Sequence, residues 1–358
     1  MVCSARFKRA LSLKRLLQTP RDKIVRGAVV LTVIIILIVL ALVFDFLNGF
    51  HDSSNIVATV ISSRALEPHA ALFLTALCEF FGPFLFGVAV AKTIGHEIVQ
   101  AEAITLTVIC AALIAAIIWN LATWLLGIPS SSSHALIGGI LGAVTLHAGA
   151  GAIKIEGITK ILIALFSSPI IGLLAGYFLG KLVFFLARGA SPHINWFFKR
   201  SQVVTAVALA LSHGTNDAQK TMGIITLGLV TMGQLQSFEV PLWVIAASAG
   251  AISLGTALGG WKLIRTLGAK FYKIRPVHGF TSQVASASVI LGAALIGGPV
   301  STTQVVSSVI MGVGSSERVS KVRWNVAGEI ILAWILTIPS TALLAALFKL
   351  ALTNVMGP

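Results

Sequence analysis

Residues 211–228 read LSHGTNDAQKTMGIITLG, and this polar stretch lies inside a long apolar segment of the chain. It carries a histidine, an aspartate and a lysine among residues that otherwise suit a membrane. Ionisable groups at membrane depth are energetically unfavourable and normally face a partner or a water-filled cavity. The stretch therefore indicates a functional site.

A second stretch of the same kind, LNGFHDSSNIVA, occupies residues 47–58. The two stretches align position by position, pairing Gly49 with Gly214, His51 with Asn216, Asp52 with Asp217 and Asn55 with Lys220. We interpret the chain as two related halves, each with one copy of this signature.

The composition places the chain in a membrane. Of its 358 residues, 56% are hydrophobic and 11% are charged, whereas a soluble domain has about 25% charged residues. Runs such as residues 28–44 approach the roughly 20 residues that a spanning helix needs. They are too long and too rich in glycine for barrel strands of about 10 alternating residues. We predict an all-α polytopic membrane protein of about 10–12 membrane segments.

The formal net charge of +14 does not indicate nucleic acid as a partner. The Lys and Arg residues lie in short loops between apolar segments, which is the pattern of cytoplasmic loops. We expect the lipid bilayer as the partner. The sequence contains no G-x-x-x-x-G-K-[ST] loop, which argues against an ATP-driven pump.

The pattern divides the chain into four parts. We predict a basic N-terminal tail at 1–27, a first membrane repeat at 28–187, a short basic linker at 188–201 and a second repeat at 202–358. Glycine weakens a helix interior by about 1 kcal/mol, and both signature stretches contain glycines. We therefore expect a pair of interrupted helices in inverted-topology repeats, the sequence pointer to a transporter binding site.

A second pair of stretches supports the repeat. Residues 127–139 read GIPSSSSHALIGG, and residues 297–308 read GGPVSTTQVVSS. Because proline suits the first turn of a helix and Ser and Thr suit N-caps, each stretch predicts a re-entrant hairpin whose second arm starts within the membrane. Free backbone N–H groups and hydroxyls there form a cradle for an anion. One such run alone would more simply be a helix cap, but two at matching positions favour an oxyanion site.

These motifs resemble the inorganic phosphate transporter (PiT) family of secondary carriers over nearly the whole chain after residue 28. The resemblance rests on the G-A-N-D-x-x-N type signature in both halves, the G-[LI]-P-x-S-[ST]-[ST]-H type hairpin and SLGTALGGWKLIRTLG at 253–268. His51 and Lys220 stand where other branches have Asn. In this the chain resembles the bacterial low-affinity, proton-linked branch, which implies the bacterial cytoplasmic (inner) membrane as the location.

The resemblance implies a symporter that imports inorganic phosphate by alternating access, coupled to H⁺ or Na⁺. Phosphate in that branch is thought to travel partly as a complex with Mg²⁺ or another divalent metal; relatives suggest a homodimer. The residues that match the family's phosphate ligands are Ser131, Ser132, Ser133, Ser301, Thr302, Thr303, Asn55 and Asn216. The residues that we assign to cation or proton coupling are Asp52, Asp217, His51, His213, Lys220 and Glu79.

The coupling assignment agrees with the physics of the site. Asp52 and Asp217 would repel a phosphate dianion unless a cation lay between them, so these two are the candidate metal ligands. His51 and His213 titrate in the range that a proton relay needs. Lys220 could neutralise an aspartate, contact the anion or pair structurally with Asp217. Glu79 suits coupling and a structural role equally.

Other functions remain open on the sequence alone. A carrier of sulfate or arsenate would use the same cradle chemistry. A membrane hydrolase would use Ser133 or a neighbouring serine with His134 and an aspartate, but adjacent Ser and His on one helix start face each other poorly. A channel fits the repeated hairpins less well than a carrier does. We predict a carrier and not an enzyme, with no cofactor.

Overall fold

Eleven α-helices make up almost all of the described chain in its computed structural model, which covers residues 20–100, 103–259 and 272–356. In chain order these are α1 (Pro20–Ser62), α2 (Pro68–Phe86), α3 (Ala89–His96), α4 (Leu106–Leu126), α5 (Ser132–Ala148), α6 (Ile155–Leu186), α7 (Ile194–Thr231), α8 (Leu242–Leu258), α9 (Pro276–Leu295), α10 (Thr302–Glu317) and α11 (Trp324–Met356). The predicted all-α fold is confirmed. Most of the predicted basic tail, residues 1–19, lies outside the described residues, as does the end of the 253–268 motif.

The outer surface of the bundle is apolar. Within the described ranges, five helices are long and apolar enough to cross a membrane, namely Leu31–Ser62, Pro68–Phe86, Leu106–Leu126, Ile155–Leu186 and Trp324–Asn354. Large side chains such as Phe73, Leu186 and Ile296 are exposed over most of their surface. Such a surface suits lipid and not water, in agreement with a multi-pass integral membrane protein.

The signature stretches do not interrupt their helices, and this part of the prediction is wrong. Helix α1 runs unbroken for 43 residues through Asp52, and α7 runs unbroken for 38 residues through Asp217. The glycines serve packing instead. A Cβ added at Gly49 would overlap the carbonyl oxygen of Ile252, and one at Gly214 would overlap that of Glu79. Small residues allow such close backbone approach between membrane helices.

The chain breaks at the hydroxyl-rich stretches. Helix α4 ends before Gly127, which has a φ of 69° in the left-handed region. Gly297, with a φ of 76°, follows the end of α9 in the same way. Glycine adopts this conformation without the penalty of a side chain. Each break leads into a new helix, α5 or α10, so the two predicted hairpins are present.

Two further glycines bring the same pairs of helices into close contact. A Cβ at Gly255 in α8 would overlap the carbonyl oxygen of Phe46 in α1, and a Cβ at Gly82 in α2 would overlap that of Leu211 in α7. Each signature helix therefore packs closely against the second helix of the other half. The two halves interlock, as inverted repeats do. Helix α7 already begins at Ile194, inside the stretch predicted as the linker.

Replacing Gly255 by alanine tests this packing. Because the new methyl group has no room against the backbone of α1, we expect Gly255→Ala to destabilise the protein by about 1–3 kcal/mol, the range for overpacking. Thermal unfolding of the protein in detergent measures the change. Gly250→Ala on the same helix is the matched control, since a Cβ there meets nothing within 4 Å. Equal melting temperatures for the two variants would contradict the proposed helix contact.

Candidate functional site

Both hydroxyl runs begin a helix as the sequence predicts. Ser131 is the N-cap of α5, and its Oγ accepts a hydrogen bond of 3.1 Å from His134 N. Ser301 is the N-cap of α10, and its Oγ accepts one of 3.4 Å from Gln304 N. Each cap leaves the positive end of a helix dipole pointing at the residues before it. The two helix starts thus provide two regions that favour an anion.

Each signature helix contacts the hairpin of the other half. Asn55 in α1 donates through Nδ2 to Thr303 Oγ1 at 3.0 Å. Lys220 in α7 donates through Nζ to Ser133 Oγ at 2.6 Å. These two contacts join corresponding positions of the repeat, because Asn55 aligns with Lys220 and Thr303 with Ser133. The repeat that is present in the sequence is therefore also present in the side-chain contacts of the site.

The hydroxyl groups of the second hairpin lie between the two aspartates. His51 Nδ1 lies 2.8 Å from Asp52 Oδ1, and Thr303 donates to the same oxygen at 2.9 Å. Thr302 Oγ1 lies 2.8 Å from Asp217 Oδ2 and 3.4 Å from Asp52 Oδ2. Thr302 therefore lies within hydrogen-bond distance of the aspartates of both halves. Its hydroxyl has one proton and can donate it to one carboxylate at a time.

His213 stands among three carboxylates. Its Nδ1 lies 2.7 Å from Glu79 Oε1, and its Nε2 lies 3.3 Å from Asp217 Oδ2 and 4.0 Å from Asp52 Oδ2. Asp52, His213 and Asp217 each offer one ligand atom, and these atoms lie within 4.8 Å of one another. Two carboxylates and one imidazole at this spacing could hold a proton or a metal cation.

Lys220 is fully occupied by protein acceptors. Its ammonium group donates to Ser133 Oγ at 2.6 Å, to Val300 O at 3.0 Å and to Asp217 Oδ1. The side chain is 1% exposed. Since an ammonium has three hydrogens to donate, none remains for a bound anion in this conformation. Of the roles that the sequence left open, the structure favours pairing with Asp217.

The remaining predicted residues lie around the same centre. Asn216 Nδ2 donates to Gly298 O at 3.2 Å, and Ser132 is the first residue of α5. The structure thus gathers at the two helix starts all the predicted phosphate ligands, Ser131, Ser132, Ser133, Ser301, Thr302, Thr303, Asn55 and Asn216. It places beside them the predicted coupling residues Asp52, Asp217, His51, His213, Lys220 and Glu79.

Three polar residues near the site were not predicted. Asp45 and Asn48 precede Asp52 on α1, both are 0% exposed, and their side-chain oxygens have no hydrogen-bond partner among the described residues. An ionisable residue in an apolar segment is itself a signal of function, so Asp45 could have been found. Gln219 donates to Gly87 O at 2.6 Å and accepts from Ala91 N at 3.1 Å, which joins α2 to α3 across a break that the sequence did not reveal.

The hydrolase alternative finds no support in this geometry. His134 Nδ1 lies 2.7 Å from Ser131 Oγ and not against Ser133. Ser131 Oγ is already the cap of α5, and Ser133 Oγ donates to Val300 O at 3.2 Å. No described contact joins a serine, His134 and a carboxylate in sequence, as nucleophilic catalysis requires.

The site is closed to solvent in this conformation. Each predicted ligand and coupling residue is at most 2% exposed. The hydroxyls of Ser133, Thr302 and Thr303 are used in bonds within the protein. An anion can reach them only if the hairpins and the signature helices separate.

Comparison with known proteins matches the chain to one protein family. The phosphate transporter family matches residues 48–345 of the chain. A relative from Bacillus subtilis, named a probable low-affinity inorganic phosphate transporter, is 46% identical over 323 residues, covering 89% of this chain and 97% of the relative. One of the same name from Rhizobium meliloti is 45% identical over 313 residues, covering 87% and 94%. These relatives are named as transporters and not as enzymes.

A solved structure shares the fold. The chain is similar to a structure described as the sodium-dependent phosphate transporter, with a TM-score of 0.82, 24% sequence identity and coverage of 91% of this chain and 100% of that one. At this level of identity the likeness shows the arrangement of helices and not the ion that drives transport.

Thr302 provides a test of the bridge between the aspartates. Thr302→Val keeps the shape of the side chain but removes the hydroxyl that donates to Asp217. We therefore expect the free energy of unfolding to fall by about 1.5–3 kcal/mol, the range for a hydrogen bond to a charged group. Thermal unfolding in detergent measures it. Thr281→Val is the control, because buried Thr281 donates only to Val277 O within its own helix. An equal loss in both variants would rule out a special role for the bridge.

Proposed function

Because the chain belongs to the phosphate transporter family, we propose that it is a secondary carrier that imports inorganic phosphate across a membrane. The observation that carries the proposal is the meeting of two hydroxyl-bearing helix starts around one pair of buried aspartates. Helix N-termini that carry hydroxyl and amide donors suit an oxyanion. In this proposal, Ser131 to Ser133, Ser301 to Thr303, Asn55 and Asn216 bind the phosphate.

The two aspartates favour a protonated oxyanion. Phosphate near neutral pH keeps a hydroxyl, so it can accept bonds from Thr302 and Thr303 and donate one to Asp52 or Asp217. Sulfate has no proton to donate, and its charge would face a carboxylate without compensation. Arsenate shares the chemistry of phosphate and would be accepted. The site therefore suits phosphate better than sulfate.

Protons are the coupling ion that the side chains support best. His51 lies against Asp52, and His213 lies between Glu79 and the aspartates. An imidazole can carry a proton and with it a positive charge, so protonation of these histidines can offset the carboxylates when an anion arrives. Sodium, or a divalent metal such as Mg²⁺ travelling with the phosphate, could instead occupy the group formed by Asp52, His213 and Asp217.

The closed site supports alternating access. The contacts between Asn55 and Thr303 and between Lys220 and Ser133 join the two halves. A passage can open on one side when one set of cross-contacts breaks while the other holds. Movement of the two repeats about a central site is the general mechanism of such carriers. The homodimer and the inner-membrane location stay predictions.

Uptake into proteoliposomes tests the proposal. We expect radiolabelled phosphate to accumulate when an inward proton gradient is imposed, with competition by unlabelled arsenate but not by sulfate. A sodium gradient alone, and Mg²⁺ with each gradient, are measured in parallel to distinguish the coupling ions. Accumulation of sulfate without phosphate would refute the proposed substrate, and strict dependence on sodium would refute the proposed coupling.

His213→Gln tests the proton relay. We expect proton-driven accumulation to fall by about tenfold or more, within the range of coupling free energies between two sites. Exchange of labelled for unlabelled phosphate, which needs no net proton movement, should persist. His193→Gln is the control, since His193 is exposed before α7. Loss of exchange together with accumulation would show that His213 serves substrate binding or folding and not coupling.

A further inference from the structure

The ammonium of Lys220 sits in a set of oxygen atoms that would suit a free metal cation. Its three contacts are a carboxylate oxygen of Asp217, the hydroxyl of Ser133 and the backbone carbonyl of Val300. Coupling cations in membrane carriers are held by such backbone carbonyls outside helical turns. We propose that Lys220 is a tethered cation that fills a sodium-type site and thereby makes this site independent of sodium. The proposal rests on the proposed carrier function.

The carbonyl at this site is available because the backbone there is not helical. Val300 lies between Pro299 and the N-cap Ser301, so no helical turn uses its oxygen. That oxygen accepts from both Lys220 Nζ and Ser133 Oγ. Irregular backbone at membrane depth persists only where it is buried in protein or lines a cavity. A cation is the partner that such a carbonyl and a neighbouring carboxylate share.

The ammonium of Lys220 offsets part of the negative charge of the carboxylates at the site. Asp52, Asp217 and Glu79 meet around His213. Among the described residues, Lys220 places its ammonium against this group, in contact with Asp217. Without Lys220, the place beside Asp217 would be open to a mobile cation.

Comparison of the two halves identifies what is special about position 220. The corresponding residue in the first half is Asn55, which is neutral and donates to Thr303, just as Lys220 donates to Ser133. Asp52, the counterpart of Asp217, has His51 as its nearest basic partner. One half therefore pairs its aspartate with an imidazole, and the other pairs its aspartate with an ammonium. This asymmetry predicts that position 220 determines which ion the carrier uses.

Lys220→Asn tests the proposal, because Asn55 shows that an amide fits at the corresponding position. The first measurement is the melting temperature of the purified protein during titration with sodium chloride or choline chloride. A ligand that binds only the folded state raises the melting temperature. We expect sodium to raise that of Lys220→Asn well above the effect of choline, and to leave the original protein no more affected by sodium than by choline.

The second measurement is phosphate uptake at equal pH with sodium or choline outside the vesicles. Sodium should stimulate uptake by Lys220→Asn about fivefold or more, the low end for coupled ligands, and leave the original protein unchanged. Lys181→Asn, at an exposed lysine of α6, is the matched control and should stay insensitive to sodium. Adding Ser133→Ala to Lys220→Asn should reduce the sodium effect, because one oxygen ligand is removed.

The outcomes separate this inference from the proposed function. If Lys220→Asn responds equally to sodium and choline, or if the original protein itself needs sodium, the tethered-cation role is wrong. If Lys220→Asn does not fold, Lys220→Gln, which carries a longer amide, is measured in the same way. Failure of both variants to fold even in sodium also overturns the tethered-cation role. If no variant carries phosphate but sodium stabilises Lys220→Asn, the cation site stands and the proposed substrate falls.

Discussion

Two buried aspartates, one from each half of the chain, are the constraint on which the rest of the structure depends. Asp52 and Asp217 are both at most 1% exposed, and Thr302 reaches both of them. Burying an ionised carboxylate is costly unless the carboxylate is paired and hydrogen-bonded. The hydroxyl runs, His51, His213 and Lys220 supply those partners. His51 and Lys220 lie on the same helix as the aspartate that each contacts, whereas Thr303 reaches Asp52 from the other half.

Close helix packing makes that meeting possible. Gly49 and Gly255 bring α1 and α8 together, and Gly214 and Gly82 do the same for α7 and α2. Without side chains at these contacts, the backbones approach closely enough for the signature helices to pass near each other. The hairpin starts then close the group from the remaining direction. Both signature helices stay continuous, so the irregular backbone next to the aspartates comes from the hydroxyl-rich stretches, where it provides donors and a carbonyl for the site.

The two halves share a fold but differ in charge. The repeat preserves the aspartate, the capped helix start and the contact across the interface. It changes the basic partner, which is His51 beside Asp52 and Lys220 beside Asp217. Glu79 and His213 add a further pair on one side only. The two halves therefore present similar arrangements of backbone and hydroxyl groups with different charges beside the aspartates.

The sequence by itself determined the membrane class, the repeat and both hairpins. These follow from hydropathy, from the alignment of His51 to Asn55 with Asn216 to Lys220 and from N-cap chemistry, all of which are local properties of the chain. Only the tertiary structure decided that α1 and α7 continue through their glycines, because a glycine that breaks a helix and one that packs against a neighbour look alike in sequence. It also decided the partners of Lys220, since Ser133 and Val300 come from distant segments that meet only when the two halves interlock.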